Sequence, residues 1–266
     1  MEASTSEFAV INNNISISSI FNLSFSVIKS SPILFLCLSL INFMPYLGIA
    51  KPEYHMGTWL PLTFIAPLLI FTLMGQGMVS YAVFQSLSGE KIRAGASLWR
   101  VISRVPTMFL TSLLFGLIIY GLSSLLVLIM SFLPLTPAIE RSVFFGGFLA
   151  MFTALFCRLV VVLQVCVVEK AGPLKSLNRS SDLTGGNRLK ILALLIIVGM
   201  VIIAFNWAGS RIIEVIAAKA TIIFYTNALL KSIVFAFVWI IQAVLYFELR
   251  RVNEGISIDN MANIFD

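Results

Sequence analysis

The sequence is poor in charged residues and contains a single histidine, and the shortage of charge excludes an ordinary soluble domain. Only 11% of its 266 residues are charged, and His55 stands alone. A soluble domain carries charge on roughly a quarter of its residues, so this chain has too few charges for a water-exposed surface. Apolar residues make up 59% of the sequence and occur in long blocks. About 20 apolar residues are enough for one helix to cross a bilayer.

The sequence also lacks the residue patterns that carry catalysis or hold a cofactor. It contains no Ser-His-Asp set, no paired carboxylates inside an apolar block, no Cys/His cluster and no Gly-Lys-Ser/Thr phosphate loop. Cys37, Cys157 and Cys166 lie apart in apolar blocks without metal-ligand spacing. We therefore expect a protein that is not an enzyme and has no cofactor or metal.

The apolar blocks predict an all-α polytopic membrane bundle of about six transmembrane helices. Continuous apolar runs favour helices over the alternating strands of a barrel. The predicted spans cover about residues 32–50, 60–84, 107–133, 142–168, 189–207 and 228–247. The predicted organisation is a flexible N-terminus (1–14), a single six-span membrane domain (15–249) and a C-terminal tail (250–266).

Three amphipathic segments each precede a pair of spans and predict helices at the membrane interface. They are Ile15–Lys29, Ile92–Val105 and Pro173–Thr184, spaced roughly 75 to 80 residues apart. The second carries Arg93, Arg100 and Arg104 on one stripe, with Trp99 suited to headgroup depth. We interpret the order as a three-fold pseudo-repeat of interfacial helix plus hairpin. The alternative is the ordinary alternation of any multi-span protein.

Basic residues are concentrated in the loops on one side of the predicted bundle. That side holds Lys29, Lys91, Arg93, Arg100, Arg104, Lys170, Lys175, Arg179, Arg188, Lys190, Arg250 and Arg251, and the opposite side holds Lys51, Arg141, Arg211 and Lys219. Loops rich in Lys and Arg stay in the cytoplasm, so both termini are predicted to be cytoplasmic. The net charge of +6 therefore indicates membrane lipids rather than nucleic acid as partners, with other membrane proteins or a second copy as further candidates.

Arg158 is unusual because it lies inside an apolar block, away from either end. An arginine at the bilayer centre costs about 2.5–3.5 kcal/mol, so it must find polar partners. One interpretation is a structural anchor hydrogen-bonded to a neighbouring helix. The other is a contact to a lipid phosphate or an anionic substrate. Gln76 lies at comparable depth in the second span and is the first candidate partner.

Glu169 and Glu248 each mark the end of a predicted span beside a basic segment. We expect them to pair with Arg179, Arg188 or Arg250 and so fix the short third amphipathic helix against the bundle. A catalytic role for either carboxylate is the less favoured interpretation.

The second half of the chain carries a pattern known from one family. Its positions are Glu169, Gly172, Pro173, Leu177, Ser180, Leu183, Thr184, Gly186 and Asn187, followed near the end by Glu248, Leu249, Arg250 and Gly255. The pattern resembles the glycerophosphoryl diester phosphodiesterase membrane-domain family and the related YciC-like bacterial inner-membrane proteins. The first half agrees only in the layout of its spans. The resemblance implies a six-span bundle in the bacterial cytoplasmic membrane, without the soluble phosphodiesterase domain and its activity.

Two classes of function fit the sequence. The first is a non-catalytic membrane scaffold or envelope and lipid-homeostasis factor that binds lipids or partner proteins. The second is a transporter or lipid-moving protein with a polar path around Arg158 and Gln76. A connected polar cavity at Arg158 would favour the transporter, and a tightly packed bundle would favour the scaffold.

Overall fold

The protein folds as an all-α bundle, as the sequence predicts. A computed structural model describes residues 15–44, 62–132, 136–216 and 220–255, and every regular element in these ranges is a helix. The helices are α1 (Ile17–Ser30), α2 (Pro32–Leu40) with a 3-10 turn (Ile41–Phe43), α3 (Leu62–Leu87), α4 (Ala94–Ile102), α5 (Val105–Ser131), α6 (Pro137–Leu159), α7 (Val162–Val168), α8 (Pro173–Leu183), α9 (Arg188–Ile216) and α10 (Ala220–Glu254).

Five stretches of the described chain are long and apolar enough to cross a membrane. They are Pro67–Leu87, Val105–Ser131, Arg141–Val168, Arg188–Ile216 and Thr221–Glu254. A sixth candidate is the pair formed by α1 and the start of α2, which bends by 95° at Ser31. The rest of the predicted first span, the predicted flexible N-terminus and residues 256–266 of the predicted tail lie outside the described residues.

Short amphipathic helices occupy the three positions of the predicted pseudo-repeat. The second and third each precede two longer helices, whereas in the described residues α1 (14 residues) is followed by the shorter α2 (9 residues). These helices are α1, α4 and α8, and each ends within a few residues of the predicted boundary. They lie at one end of the bundle. Ser30 at the end of α1 contacts Ser86 at the end of α3, and Arg104 after α4 donates to the carbonyl of Lys170 before α8. We call this region the basic end.

Three predicted spans differ from the structure in their limits or their continuity. The fourth is not continuous, because Val160 and Val161 form a turn between α6 and α7. The last two are longer than predicted, because α9 continues to Ile216 and α10 runs from Ala220 to Glu254. No proline interrupts this part of the sequence, so α9 continues beyond the predicted end of the fifth span at 207, and α10 begins before the predicted start of the sixth span at 228 and passes the predicted domain boundary at 249.

The packed centre of the bundle is formed by α3, α7 and α10, and α5 lies at the periphery. About half of the most apolar part of α3 and α10 is buried (56% and 50%), against 6% for α5. Two glycines allow α3 to approach its neighbours closely. A Cβ on Gly75 would lie 2.9 Å from the Trp239 ring, and one on Gly77 would lie 2.9 Å from Val101. The apolar surface left on α5 suits contact with lipid.

Candidate functional site

A network of ion pairs at the basic end joins α8 to the last turns of α10. Arg179 Nε lies 3.2 Å from Glu169 Oε2, and the same guanidinium contacts Glu254. Glu254 also binds Arg250, whose Nε lies 2.7 Å from Oε2. Tyr246 Oη donates to Glu169 Oε1 at 2.9 Å. These residues, called the carboxylate ring here, hold α8 against the bundle in the way expected for Glu169 and Arg179.

Glu248 and Arg188 do not take the partners that the sequence suggested. Glu248 is buried and binds Arg251, one turn along the same helix, at 2.7 Å. The reason is geometric, since residues three apart on a helix face each other and the Arg250 guanidinium is directed at Glu254. Arg188 is exposed and forms no ion pair within the described ranges.

Arg158 lies beside α8 at the break between α6 and α7, rather than among the apolar side chains of the bundle. Its Nε donates to Ser181 Oγ at 3.3 Å, and its side chain is exposed. Its backbone carbonyl accepts hydrogen bonds from Ser180 Oγ at 3.0 Å and Thr184 Oγ1 at 3.2 Å. Hydroxyl groups that bond to a helix carbonyl are a known cause of kinks, so α8 supports the bend that carries Arg158 to the basic end.

Gln76 and Arg158 are not brought together. Gln76 Nε2 donates instead to Gln242 Oε1 at 3.0 Å, across the contact between α3 and α10. Ser80, one turn further along α3, donates its hydroxyl to the Gln76 carbonyl at 2.7 Å. The pair therefore begins a row of polar groups inside the bundle rather than supporting a cation.

This row, called the polar seam here, continues towards the carboxylate ring and adds to Gln76 and Arg250 four residues that the sequence did not single out. It consists of Gln76, Ser80, Gln164, Gln242, Tyr246 and Arg250. Three members recur at i, i+4 and i+8 on α10, a spacing that places them on one face. That spacing was visible in the sequence for Gln242, Tyr246 and Arg250. Gln164 gave no such signal, because it is a single amide in an apolar stretch.

The three arginines in and beside α4 have different surroundings. Arg93 is exposed, whereas the Arg100 guanidinium lies 5.1 Å from the centre of the Tyr81 ring. Arg104 Nη1 donates to the Lys170 carbonyl at 3.3 Å. Trp99 is 76% exposed, and Leu98 and Ile102 are exposed beside it. The helix thus combines cations with an apolar, tryptophan-bearing surface.

The described residues contain no group of three or more His, Cys, Asp or Glu side chains that could hold a metal. Comparison of the chain with protein-family models, with curated protein sequences and with solved structures finds no match. The fold defines the class of the protein, a polytopic α-helical integral membrane protein. No comparison supports the family resemblance, which remains a prediction.

Proposed function

We propose that this protein is a non-catalytic membrane scaffold or lipid-homeostasis factor that binds anionic lipid headgroups with its basic end. The observation that carries the proposal is that seven arginines there fall into two sets. One set is neutralised by carboxylates inside the protein. The other set contacts only neutral groups within the described residues, and three of its four members lie in or beside α4, which has an exposed apolar surface.

The neutralised set serves the fold. Arg179, Arg250 and Arg251 each bind a glutamate, and the acidic partners are Glu169, Glu254 and Glu248. An arginine whose charge is already compensated attracts an anionic lipid weakly. We therefore assign these residues to fixing α8 and the end of α10.

The second set consists of Arg93, Arg100, Arg104 and Arg158, none of which forms an ion pair in the part of the chain that the structure describes. The side-chain partners of the last three are an aromatic ring, a carbonyl and a hydroxyl. A basic residue near an anionic membrane surface contributes about 1 kcal/mol. Exposed Trp99 and Ile102 would place α4 at headgroup depth, where these charges meet phosphates.

The proposal includes the location that the charge distribution and the family resemblance imply. The membrane is the bacterial cytoplasmic membrane, both termini face the cytoplasm, and the primary partners are phospholipids of the inner leaflet. Other membrane proteins or a second copy of the chain are further candidate partners. The positive-inside tendency of membrane proteins supports this orientation.

The test replaces Arg93, Arg100 and Arg104 with glutamate and measures lipid retention. The wild type and the triple variant are reconstituted in nanodiscs of mixed phosphatidylglycerol and phosphatidylcholine, and native mass spectrometry counts the phosphatidylglycerol molecules that remain bound. We expect the triple glutamate variant to lose bound phosphatidylglycerol. The matched control, with lysine at all three positions, keeps the charge and should retain it. Equal retention by wild type and glutamate variant would overturn the proposal.

The transporter alternative has less support around Arg158 and Gln76, where the polar path was expected. It requires a connected polar path at Arg158, but Arg158 binds Ser181 and Gln76 binds Gln242. The polar seam is the remaining route, and the cavity on it has a volume of only about 10 Å3. A deletion strain examined by lipidomics would distinguish the two functions. Selective change in one lipid on one leaflet favours movement, and altered membrane organisation without such a change favours the scaffold.

A further inference from the structure

A small internal cavity lies on the polar seam, between α3, α7 and α10. It has a volume of about 10 Å3, and its polar lining residues are Ser80, Gln164, Tyr246 and Arg250. The remaining lining is apolar and includes Val83, Phe84 and Phe247. The cavity therefore separates the Gln76–Gln242 pair from the carboxylate ring.

Gln164 is the lining residue whose hydrogen bonding the described residues do not account for. Its side chain is fully buried, with 0% exposure, and neither its amide nitrogen nor its amide oxygen has a hydrogen-bond partner among the described residues. An unsatisfied buried amide costs about 1–3 kcal/mol, so native proteins satisfy such groups with protein or with ordered water. Gln164 lines the cavity, which supplies the space for such a partner.

We propose that the cavity binds one ordered water molecule, held by Gln164 and by the hydroxyl group of Ser80, next to Tyr246. The hydrogen-bonding capacity of the lining identifies the ligand. Ser80 donates its proton to the Gln76 carbonyl, and Tyr246 donates its proton to Glu169. The Ser80 oxygen can then only accept, and the Tyr246 oxygen already accepts a hydrogen bond from Arg250. The Gln164 amide nitrogen can only donate, and its amide oxygen can only accept.

The ligand must therefore donate two hydrogen bonds and accept at least one. Water does both, and it usually makes about three hydrogen bonds when buried. A halide cannot donate, and an ammonium ion cannot accept from the amide. The volume of the cavity also favours water, since a cavity of about 10 Å3 holds about one water and is too small for a phosphate group.

The bound water extends the polar seam inside the bundle. Ser80, which donates to the main-chain carbonyl of Gln76, holds the water on one side, and Tyr246, which donates to Glu169, borders it on the other. This inference is independent of lipid binding by α4, because it uses no residue of the second set of cations. It predicts that the buried end of Tyr246 is hydrated although its ring is enclosed.

Radiolytic hydroxyl-radical footprinting of the wild-type protein tests the proposal. Radicals formed from a bound water label the aromatic side chain beside it, even where bulk solvent does not reach. Tyr246 and Trp239 are equally enclosed, at 4% exposure each, but only Tyr246 lines the cavity. Relative to intrinsic reactivity, we expect Tyr246 to be labelled severalfold faster than Trp239. Equal, low labelling of both would overturn the proposal without any variant being made.

The Gln164→Leu variant adds a second measurement, because leucine has a similar volume and removes the amide that the water binds. In folded variant protein, we expect Tyr246 labelling to fall to the Trp239 level. Val165→Leu, a neighbouring buried change that keeps the amide, should leave Tyr246 labelling unchanged. Persistent labelling in Gln164→Leu would show that solvent reaches Tyr246 by another route and would contradict the assigned site.

Discussion

Glu169 accepts hydrogen bonds from two helices, so its substitution tests how strongly the carboxylate ring holds α8. Arg179 binds it from α8 and Tyr246 from α10. Glu169→Gln keeps the shape but removes the charge. We expect a loss in the free energy of unfolding of about 1 kcal/mol, below the roughly 1.5–3 kcal/mol of hydrogen bonds to charged groups, because the pair is only partly buried.

Unfolding of the detergent-purified protein by sodium dodecyl sulfate, followed by circular dichroism, measures this difference. Glu214→Gln is the matched control, because its i,i+3 pair with Arg211 is largely exposed, at 51% and 68% of the two side chains. Exposed pairs contribute little, so that variant should unfold like the wild type. If both variants lose the same stability, the carboxylate ring has no special role in holding α8.

Arg158 shows which properties of a single residue a sequence can reveal. The sequence correctly marked it as a cation that needs polar partners. The partners were not predictable, because Ser180, Ser181 and Thr184 follow it by more than twenty positions and meet it only when α8 folds back. The break in the helix beside it was equally hidden, since the turn at Val160 has no proline or glycine to indicate it.

At the scale of elements, the packing of α4 on α3 depends on the absence of a side chain at Gly77. An added Cβ there would lie 2.9 Å from one methyl group of Val101 and 3.1 Å from the other. Valine is stiff at χ1, so the methyl groups cannot move aside without shifting α4. We expect Gly77→Ala to cost about 1–3 kcal/mol, the range for overpacking a filled core.

Thermal unfolding in detergent measures the effect of Gly77→Ala, and Gly116→Ala is its control. Gly116 lies in α5 and has open space within 4 Å, while alanine favours a helix over glycine by roughly 0.5–1 kcal/mol. The control should be neutral or slightly more stable. An unchanged melting temperature for Gly77→Ala would mean that α4 is not held tightly against α3.

The helices themselves were predictable to different degrees. The existence of α3, α5 and α6 followed from apolar runs of spanning length, and Pro173 with Gly186 delimited α8. The polar seam was harder to see. Gln76 and Gln242 are 166 residues apart, and nothing in either local pattern indicates which distant amide will be its partner. Tertiary pairing, rather than local propensity, decides that contact.

In the folded molecule, the basic segments of the sequence lie together at one end of the bundle. Residues from distant parts of the chain meet at the basic end. The amide of Ile15 donates to Asn187 Oδ1, Lys190 donates to the Ile15 carbonyl, and Asn253 donates to the Leu183 carbonyl. The start of α1, the start of α9 and the end of α10 therefore share one end of the bundle with α4 and α8.

This arrangement leads to a prediction about orientation. If the basic end is cytoplasmic, reporter fusions after Arg104, after Lys190 and at Asp266 should all report cytoplasm, and fusions near Glu53 and Glu140 should report the opposite side. The physical reason is that segments rich in Lys and Arg resist translocation, whereas acidic residues contribute little to orientation.

Paired fusions to alkaline phosphatase and to green fluorescent protein measure both outcomes. Alkaline phosphatase is active only outside the cytoplasm. Green fluorescent protein fluoresces only in the cytoplasm, because it does not become fluorescent when it is exported in unfolded form. Expression controls at each site ensure that a silent reporter reflects location rather than degradation. A C-terminal fusion with high phosphatase activity and no fluorescence would place the basic end outside the cytoplasm and would remove the basis for binding inner-leaflet lipids there.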